Sequence, residues 1–238
     1  MDNNIHILPK VLFADPSQVP GGPQQVGITI LKTLNKTKYD LIIGSPTADH
    51  PMAESVSFRY SPEIHNIGKP QNIKEFLSTL INLPSNVISL CKFIKKRNID
   101  LIHSNNEICF TTLLAARITK TPHIIHVHGL GFSNSIFKFI FGEIINIGCD
   151  KIIAVSNAVA RKLIEVGVDQ KKIVVSYNGI DTNIFKPTKK TQYAHTQFGI
   201  AKESSIVGMI SALDPRKGHE LFIKAAKYTI RHNLKIHF

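Results

Sequence analysis

Tryptophan is absent from this 238-residue chain, and cysteine is scarce, with three residues in all. Cys91, Cys109 and Cys149 are odd in number and far apart. This spacing offers neither a disulfide framework nor a CxxC metal knuckle, and it favours a reducing compartment such as the cytoplasm.

Long hydrophobic runs are missing as well. The most apolar window, residues 136–147, is interrupted by Lys138 and Glu143 and is too short to cross a bilayer. The N-terminal segment lacks the basic-then-apolar order of a signal peptide. We therefore expect a cytoplasmic protein that is soluble or peripheral to the inner face of a membrane.

Acidic residues are in short supply: 17 Asp and Glu stand against 29 Lys and Arg, a formal net charge of +12. An excess of this size favours anionic partners such as phosphate-bearing ligands or an acidic membrane surface. Nucleic acid is not expected, because the charge is dispersed and no helix-turn-helix, zinc-finger or aromatic RNP pattern accompanies it. The composition, 43% hydrophobic and 19% charged, is that of a folded protein with a packed core.

Short apolar runs rich in Val and Ile alternate with segments of helical spacing, which is typical of βαβ units around a parallel sheet covered on both faces. The predicted strands are 11–14, 40–44, 100–103, 123–127, 151–155 and 173–177. The predicted helices are 24–34, 72–97 with a break at Pro84, 108–119, 134–147 and 157–166. The sequence therefore predicts a Rossmann-like α/β domain over residues 1–187.

A second, incomplete α/β unit is predicted after this domain. The basic, proline-containing stretch 186–190 indicates a linker. The segments after it are a strand at 205–210, a polar turn at 214–218, a helix at 219–232 and an apolar run at 234–238. We assign residues 188–238 to the linker and the first βα unit of a second Rossmann-like domain. A single βα unit cannot bury both faces of its strand, so we expect this part to be poorly stable alone.

A paired-glycine loop follows the first predicted strand, at a carboxyl end where open parallel sheets bind ligands. Gly21 and Gly22 let the backbone approach a ligand closely, and the next helix presents free N–H groups to phosphate. The alternative interpretation is a flexible surface turn. The loop at 15–24 is neither GxGxxG nor a Walker sequence, so the sequence does not support NAD or ATP.

Two histidines share one face at the end of the strand predicted at 123–127. His128, at the outer end, is the candidate for hydrogen bonding a substrate hydroxyl or phosphate. His126, deeper in the strand, is predicted to be a satisfied core residue. A metal pair is the less favoured alternative, because no further Cys, His or Asp lies nearby at ligand spacing.

Polar residues end the last two strands of the predicted domain. Ser156 or Asn157 can cap the following helix, whose N-terminus is expected to face the ligand crevice. No GxSxG elbow surrounds Ser156, so hydrolase chemistry is not expected. Asn178 and Gly179 give a strong turn signal, and Asp181 can fix that turn through its side chain.

Taken in order, these segments closely resemble the family 4 glycosyltransferases, over nearly the whole chain. The order is a Gly-Gly loop, His-x-His-Gly, Ile-Ile-Ala-Val-Ser-Asn-Ala-Val, Tyr-Asn-Gly-Ile-Asp-x-x-x-Phe-x-Pro and Gly-Met-Ile-Ser-Ala-Leu-Asp-Pro-Arg-Lys-Gly-His-Glu. The resemblance implies a GT-B fold of two Rossmann-like domains and a retaining transferase. It implies a nucleotide-diphosphate sugar donor, a glycan or lipid-linked acceptor, and no metal or other cofactor.

The resemblance also assigns site residues by position. Gly21 and Gly22 match the loop near the donor phosphates, and His128 matches the histidine near the transferred sugar. Lys217 matches the basic residue that holds the donor diphosphate, where a cation stabilises the leaving group. The segment leading to the interdomain crossing is matched by Asn178, Gly179 and Asp181.

Two departures from the family pattern limit what is expected of this chain. Where the family usually reads Gly-Arg-Leu, the chain has Ser211-Ala212-Leu213, so one diphosphate cation is missing and Arg216 is the candidate substitute. The Glu-x7-Glu segment of the family would lie beyond Phe238. We therefore expect a truncated enzyme with little or no transfer activity alone. The alternatives are a non-catalytic carbohydrate- or nucleotide-binding domain, or a split-enzyme subunit. A GT-B epimerase is less favoured, because the Val-Ser-Asn and Asn-Gly-Ile-Asp segments favour transferases.

Overall fold

The structure is a computed structural model that describes residues 8–17, 21–34, 38–45, 59–60, 73–106, 109–129, 135–187, 192–232 and 235–238. The chain divides into two compact units, Met1–Asp181 and Thr182–Phe238. Several predicted features fall partly outside the described residues: the loop at 18–20, the helix starts at 72, 108 and 134, the linker at 188–190, and the strand start at 234.

The first unit contains seven strands that alternate with five helices among its described residues. The strands are β1 (Lys10–Ala14), β2 (Asp40–Gly44), β3 (Arg59–Tyr60), β4 (Leu101–Ser104), β5 (His123–Val127), β6 (Lys151–Ala154) and β7 (Ile173–Val175). The helices are α1 (Gly22–Thr33), α2 (Ile73–Arg97), α3 (Phe110–Thr119), α4 (Ser135–Gly148) and α5 (Asn157–Glu165). A 3₁₀ turn, Gln170–Lys172, precedes β7. These elements confirm the predicted Rossmann-like α/β class.

All neighbouring strands of the large sheet are parallel, in the order β3-β2-β1-β4-β5-β6-β7. The chain builds outward from β1 to β3 on one side and from β4 to β7 on the other. The strand order therefore reverses between β1 and β4. In open parallel sheets such a reversal opens a crevice at the carboxyl ends of the two strands, because their connections lead to opposite faces.

The two faces of the sheet carry separate cores, as the period of two along each strand requires. Val11 and Phe13 of β1 pack with Ile28 and Leu31 of α1 on one face. The opposite face contributes to two clusters: Leu12 and Ile102 with α2 and α3, and Ile125 and Ile152 with α3, α4 and α5. Strands buried on both faces explain why the runs are almost continuously apolar.

The predicted break at Pro84 is wrong, because α2 continues through this residue from Ile73 to Arg97. Side chains near the proline supply hydrogen bonds to backbone carbonyls of the same helix. Asn82 Nδ2 donates to the Ser78 carbonyl at 2.8 Å, and Ser85 Oγ donates to the Asn82 carbonyl at 2.8 Å. Neither acceptor is the carbonyl four residues before Pro84, so these bonds stabilise the turns around the proline without replacing the backbone bond that it cannot make.

The second unit contains α6 (Tyr193–Phe198), β8 (Ser205–Ile206), a 3₁₀ turn (Pro215–Lys217), α7 (His219–Ile230) and β9 (Ile236–His237). The strands β8 and β9 pair in parallel as a two-stranded sheet. Both are shorter than the runs predicted at 205–210 and 234–238, and α6 was not predicted at all. Among the described residues of this unit, Ala226 is the single buried hydrophobic residue.

Candidate functional site

Asp15 and Asn105 occupy the point where the strand order reverses. Asp15 follows β1 and Asn105 follows β4, and the side chains of both are fully buried. Asn105 donates its backbone N–H to the Ala14 carbonyl at 2.8 Å, which continues the pairing of the two strands by one residue. Two polar side chains are thus enclosed at the crevice that this sheet topology provides for ligands.

The carboxyl group of Asp15 is the centre of a polar network. Its oxygens accept hydrogen bonds from the backbone N–H of Ser17 at 2.9 Å, from Gln24 Nε2 at 3.2 Å and from Asn105 Nδ2 at 2.9 Å. Gln24 belongs to the first turn of α1 and is itself buried. Asp15 therefore fixes the start of α1 against the ends of β1 and β4.

Asn105 joins the glycine loop to the histidine strand. Its Nδ2 also donates to the Pro23 carbonyl at 2.9 Å, and its Oδ1 lies 3.2 Å from Nε2 of His128. The residues after Gly21 and Gly22 and the side chain of His128 therefore contact the same amide. Neither Asp15 nor Asn105 was singled out as a site residue from the sequence. Their signal was a polar residue directly after each of two buried strands.

Gly21 and Gly22 begin α1 with an uncapped, open backbone. Gly21 is the N-cap in an extended conformation, and no side chain caps the helix. A Cβ atom built on Gly22 would meet nothing within 4 Å. Pro23 has no backbone N–H, so the first turn offers fewer donors than a typical helix start. The backbone at Gly22 therefore leaves room for a ligand to approach closely.

His128 is a partly buried, neutral histidine directly after β5. Burial lowers the pKa of its imidazole to about 4, and the neighbouring His126 ring contributes to this shift. At neutral pH the ring therefore carries no positive charge. It can form hydrogen bonds with a ligand, but it cannot act as a cation for a diphosphate.

The His128 ring packs at the end of a row of aromatic rings. The His126 and His128 rings lie 4.5 Å apart at an interplanar angle of 18°, and His103 on β4 lies 5.7 Å from His126. Phe13 on β1 packs 4.7 Å from His103. Burial lowers the pKa of His126 to about 4 and that of His103 to about 3.

His126 is buried in the core as predicted, but the prediction that its ring nitrogens are hydrogen-bonded is wrong. His126 is only 4% exposed, yet neither ring nitrogen has a hydrogen-bond partner, and Nε2 of His103 has none either. Both absences refer to the described part of the chain. The face of β4 and β5 near the crevice therefore carries buried nitrogens without hydrogen-bond partners in the protein. Burying such groups costs free energy unless water or a ligand supplies the missing hydrogen bonds.

Ser156 caps α5 at the carboxyl end of β6. Its Oγ accepts a hydrogen bond from the backbone N–H of Val159 at 3.2 Å, so the capping interpretation applies to Ser156 and not to Asn157. Asn157 instead donates from Nδ2 to the Tyr177 hydroxyl at 3.0 Å. This bond ties the start of α5 to the segment after β7.

Asn178, Gly179 and Asp181 lie in an exposed, irregular segment after β7 at the end of the first unit. No hydrogen bond of Asn178 is seen among the described residues, whereas Asp181 does interact with the surrounding protein. This segment follows the edge strand β7, whereas the polar network of Asp15, Asn105 and His128 follows the inner strands β1, β4 and β5. These residues stay candidates on the resemblance alone.

Lys217 and Arg216 belong to the second unit, in the 3₁₀ turn before α7. The Arg216 guanidinium is held by Asp214, with Nη2 2.6 Å from Oδ2 and Nε 3.0 Å from Oδ1. These bonds lower the pKa of Asp214 to about 2. Lys217 has no side-chain hydrogen bond or ion pair within the described ranges. Of the two cations, Lys217 is therefore the one free to meet an anionic ligand.

Neither a candidate metal-binding cluster nor a candidate membrane-spanning helix is present among the described residues. No group of three His, Cys, Asp or Glu side chains is placed to hold a metal ion. None of the helices seen there is both long and apolar enough to span a membrane.

Comparison with known proteins assigns the family. Residues 20–184 match the Glycosyltransferase Family 4 profile. A similar curated protein is the Escherichia coli UDP-Gal:alpha-D-GlcNAc-diphosphoundecaprenol alpha-1,3-galactosyltransferase, 27% identical over 244 residues that cover 94% of this chain and 59% of the relative. The chain thus spans about three fifths of the length of that relative.

Solved structures share the fold. Anabaena HepE in complex with UDP-glucose superposes with a TM-score of 0.71 at 23% identity, covering 95% of this chain and 58% of that one. A Rickettsia africae glycosyltransferase gives a TM-score of 0.72 at 21% identity, covering 94% and 59%. These likenesses support the GT-B fold that the resemblance implied. Because the family match extends over more than two thirds of the residues, the chain belongs to glycosyltransferase family 4.

Proposed function

We propose that this chain forms the acceptor-side part of a retaining glycosyltransferase, which transfers a sugar from a nucleotide-diphosphate donor to a glycan or lipid-linked acceptor. The observation that carries the proposal is the family match over residues 20–184, which spans the glycine loop, the histidine strand and the Asn-Gly-Ile-Asp segment. The polar crevice where the strand order reverses gives this family assignment a site of suitable chemistry.

The donor is proposed to be a UDP-sugar. The Escherichia coli relative uses UDP-galactose by its name, and the Anabaena structure holds UDP-glucose. The open backbone at Gly22 gives a phosphate or sugar group room to approach, and His128 offers a neutral hydrogen-bonding group at the same crevice. The excess of basic residues in the chain is consistent with an anionic donor.

The leaving diphosphate is proposed to be stabilised by Lys217, with Arg216 as a second cation. Negative charge develops on the diphosphate as the glycosidic bond breaks, and a fixed cation lowers the energy of that state without a metal ion. Arg216 must exchange its pairing with Asp214 for the ligand, so its contribution is smaller than that of Lys217.

The acceptor is proposed to be a polyprenyl-diphosphate-linked sugar. The relative is named for transfer to GlcNAc-diphosphoundecaprenol, whose headgroup is anionic. A chain with a formal net charge of +12 is suited to such a substrate and to an acidic membrane surface that holds it. Association with the inner face of a membrane is part of the same proposal.

The test combines donor binding with transfer. The purified 238-residue chain is incubated for hours with UDP-galactose, UDP-glucose and GDP-mannose, with and without a polyprenyl-diphosphate-linked GlcNAc acceptor and with and without EDTA. Nucleoside diphosphate release is measured, and the product anomer is read by NMR. We expect UDP-sugar binding, transfer far below about 1 per second, retention of configuration and no effect of EDTA.

Matched histidine variants test the assigned site. His128→Ala should lower transfer by roughly 10- to 100-fold, the loss expected when one well-placed hydrogen bond to the reacting sugar is removed. His232→Ala removes an exposed histidine of the second unit and should leave transfer unchanged. Inversion at the anomeric carbon, or equal losses in the two variants, would contradict the proposal.

A further inference from the structure

The amide of Asn105 can be placed in only one orientation. Its Nδ2 lies 2.9 Å from Asp15 Oδ2 and 2.9 Å from the Pro23 carbonyl oxygen. A peptide carbonyl oxygen only accepts hydrogen bonds, so the NH₂ group must face Pro23. The hydrogen-bond network therefore determines the orientation of the Asn105 amide, and Oδ1 must face His128.

The orientation of Asn105 determines which nitrogen of His128 carries the proton. Asn105 Oδ1 only accepts, and Nε2 of His128 lies 3.2 Å from it, so Nε2 must be the donor. The ring is neutral at physiological pH, because burial lowers its pKa to about 4. A neutral imidazole has one N–H, so Nδ1 is left with a free lone pair.

Nδ1 of His128 is therefore the ring atom that a ligand can use. It has no hydrogen-bond partner in the described part of the chain, and it is not among the side-chain nitrogens there that are both enclosed and unpaired, which belong to His103 and His126. A lone pair accepts a hydrogen bond from a hydroxyl group but not from a phosphate oxygen without hydrogen. Of the two ligand groups considered for His128, a hydroxyl or a phosphate, only the hydroxyl fits this tautomer.

The surrounding structure holds the arrangement in place. Stacking against His126 at 4.5 Å fixes the plane of the His128 ring. Asp15 holds Asn105 and is itself held by the backbone N–H of Ser17 and by Gln24. Asp15 and Asn105 are fully buried, so water does not compete with these bonds.

We propose that Asp15 and Asn105 are positioning residues that keep His128 in the Nε2-protonated tautomer, so that Nδ1 accepts a hydrogen bond from a hydroxyl group of the bound sugar. The sugar as ligand rests on the proposed function. The tautomer does not, because the groups that determine it belong to the protein alone.

The first experiment reads the tautomer directly. The chain is labelled with ¹⁵N-histidine, and long-range ¹H–¹⁵N correlations are recorded at neutral pH, with His128 assigned by its missing signals in His128→Gln. We expect Nε2 to carry the proton in the unaltered chain. In Asn105→Ala the ratio of the Nε2–H to the Nδ1–H tautomer should fall roughly 3- to 10-fold, the net value of one hydrogen bond.

Asn146→Ala is the matched control for loss of stability. Asn146 also uses both ends of its amide, donating to the Gly167 carbonyl and accepting from the backbone N–H of Asp169. Its replacement should lower the melting temperature as Asn105→Ala does, but leave the His128 tautomer unchanged. If Asn105→Ala does not fold, Asp15→Asn should shift the ratio in the same direction. An Nδ1-protonated ring in the unaltered chain, or no shift in either variant, overturns the proposal.

The second experiment tests the hydroxyl contact. UDP-galactose, UDP-glucose and UDP alone are each added at saturating concentration, and the Nδ1 resonance of His128 is followed. A hydrogen bond accepted by Nδ1 should move this resonance with a UDP-sugar and not with UDP. An equal response to UDP, or no response to any bound UDP-sugar, overturns the hydroxyl contact. If no nucleotide sugar binds at all, the proposed donor fails, while the tautomer is decided by the first experiment.

Discussion

The two units of this chain differ sharply in how their chemistry-bearing residues are supported. Asp15, Asn105 and His128 follow buried strands of a seven-stranded sheet with a core on each face. Lys217 and Arg216 lie in a unit whose described residues include one buried hydrophobic side chain. The first set is held by tertiary packing, and the second is held by hydrogen bonds within a single turn.

This contrast concerns how firmly each unit can hold a side chain in position before a ligand binds. Large apolar side chains such as Ile210 and Leu213 of the second unit are more than nine-tenths exposed. Burying one such side chain stabilises a fold by about 1.5–3 kcal/mol. The second unit therefore lacks most of the hydrophobic free energy that stabilises a packed domain. A hydrogen-bonding group on the first unit can thus be aimed accurately, whereas cations on the second are less constrained.

The largest expected effect separates two leucines on helices. Leu163 of α5 is fully buried, and Leu221 of α7 is 72% exposed. We expect Leu163→Ala to lower the free energy of unfolding by about 2–5 kcal/mol, because it leaves a cavity. Leu221→Ala should change it by less than about 0.5 kcal/mol. Urea denaturation followed by circular dichroism measures both, and equal losses would mean that the second unit is packed as well as the first.

Acid should destabilise the first unit through its histidine stack. The pKa of His126 is lowered by burial from 6.5 to about 4, so the unfolded chain binds the proton first as the pH falls. The contribution of His126 to stability is therefore unchanged above about pH 6.5, is lost between pH 6.5 and about 4, and is constant below. This histidine contributes on the order of 3 kcal/mol to the loss.

Replacing the ring tests that origin. His126→Phe keeps an aromatic ring against His128 and removes both unpaired nitrogens, so the stability should depend less steeply on pH between 6.5 and 4. His232→Phe changes an exposed histidine of the second unit and should leave the pH dependence as it was. Thermal unfolding across this pH range gives the comparison, and an unchanged slope in His126→Phe would refute the assignment.

A smaller effect is expected at two glycines that differ in their surroundings. A Cβ on Gly142 of α4 would overlap the backbone carbonyl of Val166, whereas one on Gly208 of the second unit would meet nothing within 4 Å. Gly142→Ala should cost about 1–3 kcal/mol despite the better helix propensity of alanine. Gly208→Ala should be near neutral. Chemical denaturation of the two variants checks this, and a stable Gly142→Ala chain would mean that α4 and the turn after α5 can separate.

Much of the fold follows from the sequence, because each buried strand is a short Val- and Ile-rich run with its own boundaries. The strands predicted at 40–44 and 123–127 agree with β2 and β5 residue for residue. The two-residue strand β3 was missed, since Arg59 and Tyr60 are too few to show a period. The break at Pro84 was predicted wrongly, because α2 continues through the proline although this residue cannot donate a backbone hydrogen bond.

The candidate site was predicted less completely than the fold. The sequence indicated the strand ends, and so pointed to Gly21, Gly22 and His128, whose roles in binding stay predictions. It did not show that Asn105 would reach both Pro23 and His128, since that depends on β4 lying between β1 and β5. Strand order is a long-range property, and no local spacing reveals it.

The smallest expected effect concerns the helix cap at Ser156, and it separates a structural role from a functional one. Ser156 Oγ accepts the Val159 N–H at 3.2 Å, whereas α7 in the second unit begins at Gly218 with no side-chain cap. We expect Ser156→Ala to cost about 1 kcal/mol, because one N–H of the first turn loses its partner. Ser156→Asp should restore that stability, since aspartate is an equally good cap and its charge favours a helix N-terminus. If Ser156 also faces the donor, the added carboxylate should repel a diphosphate and weaken UDP-sugar binding in a chain that is fully folded. Calorimetric titration of UDP-sugars into the unaltered chain and both variants decides the matter. Unchanged affinity in Ser156→Asp would leave Ser156 with the cap alone.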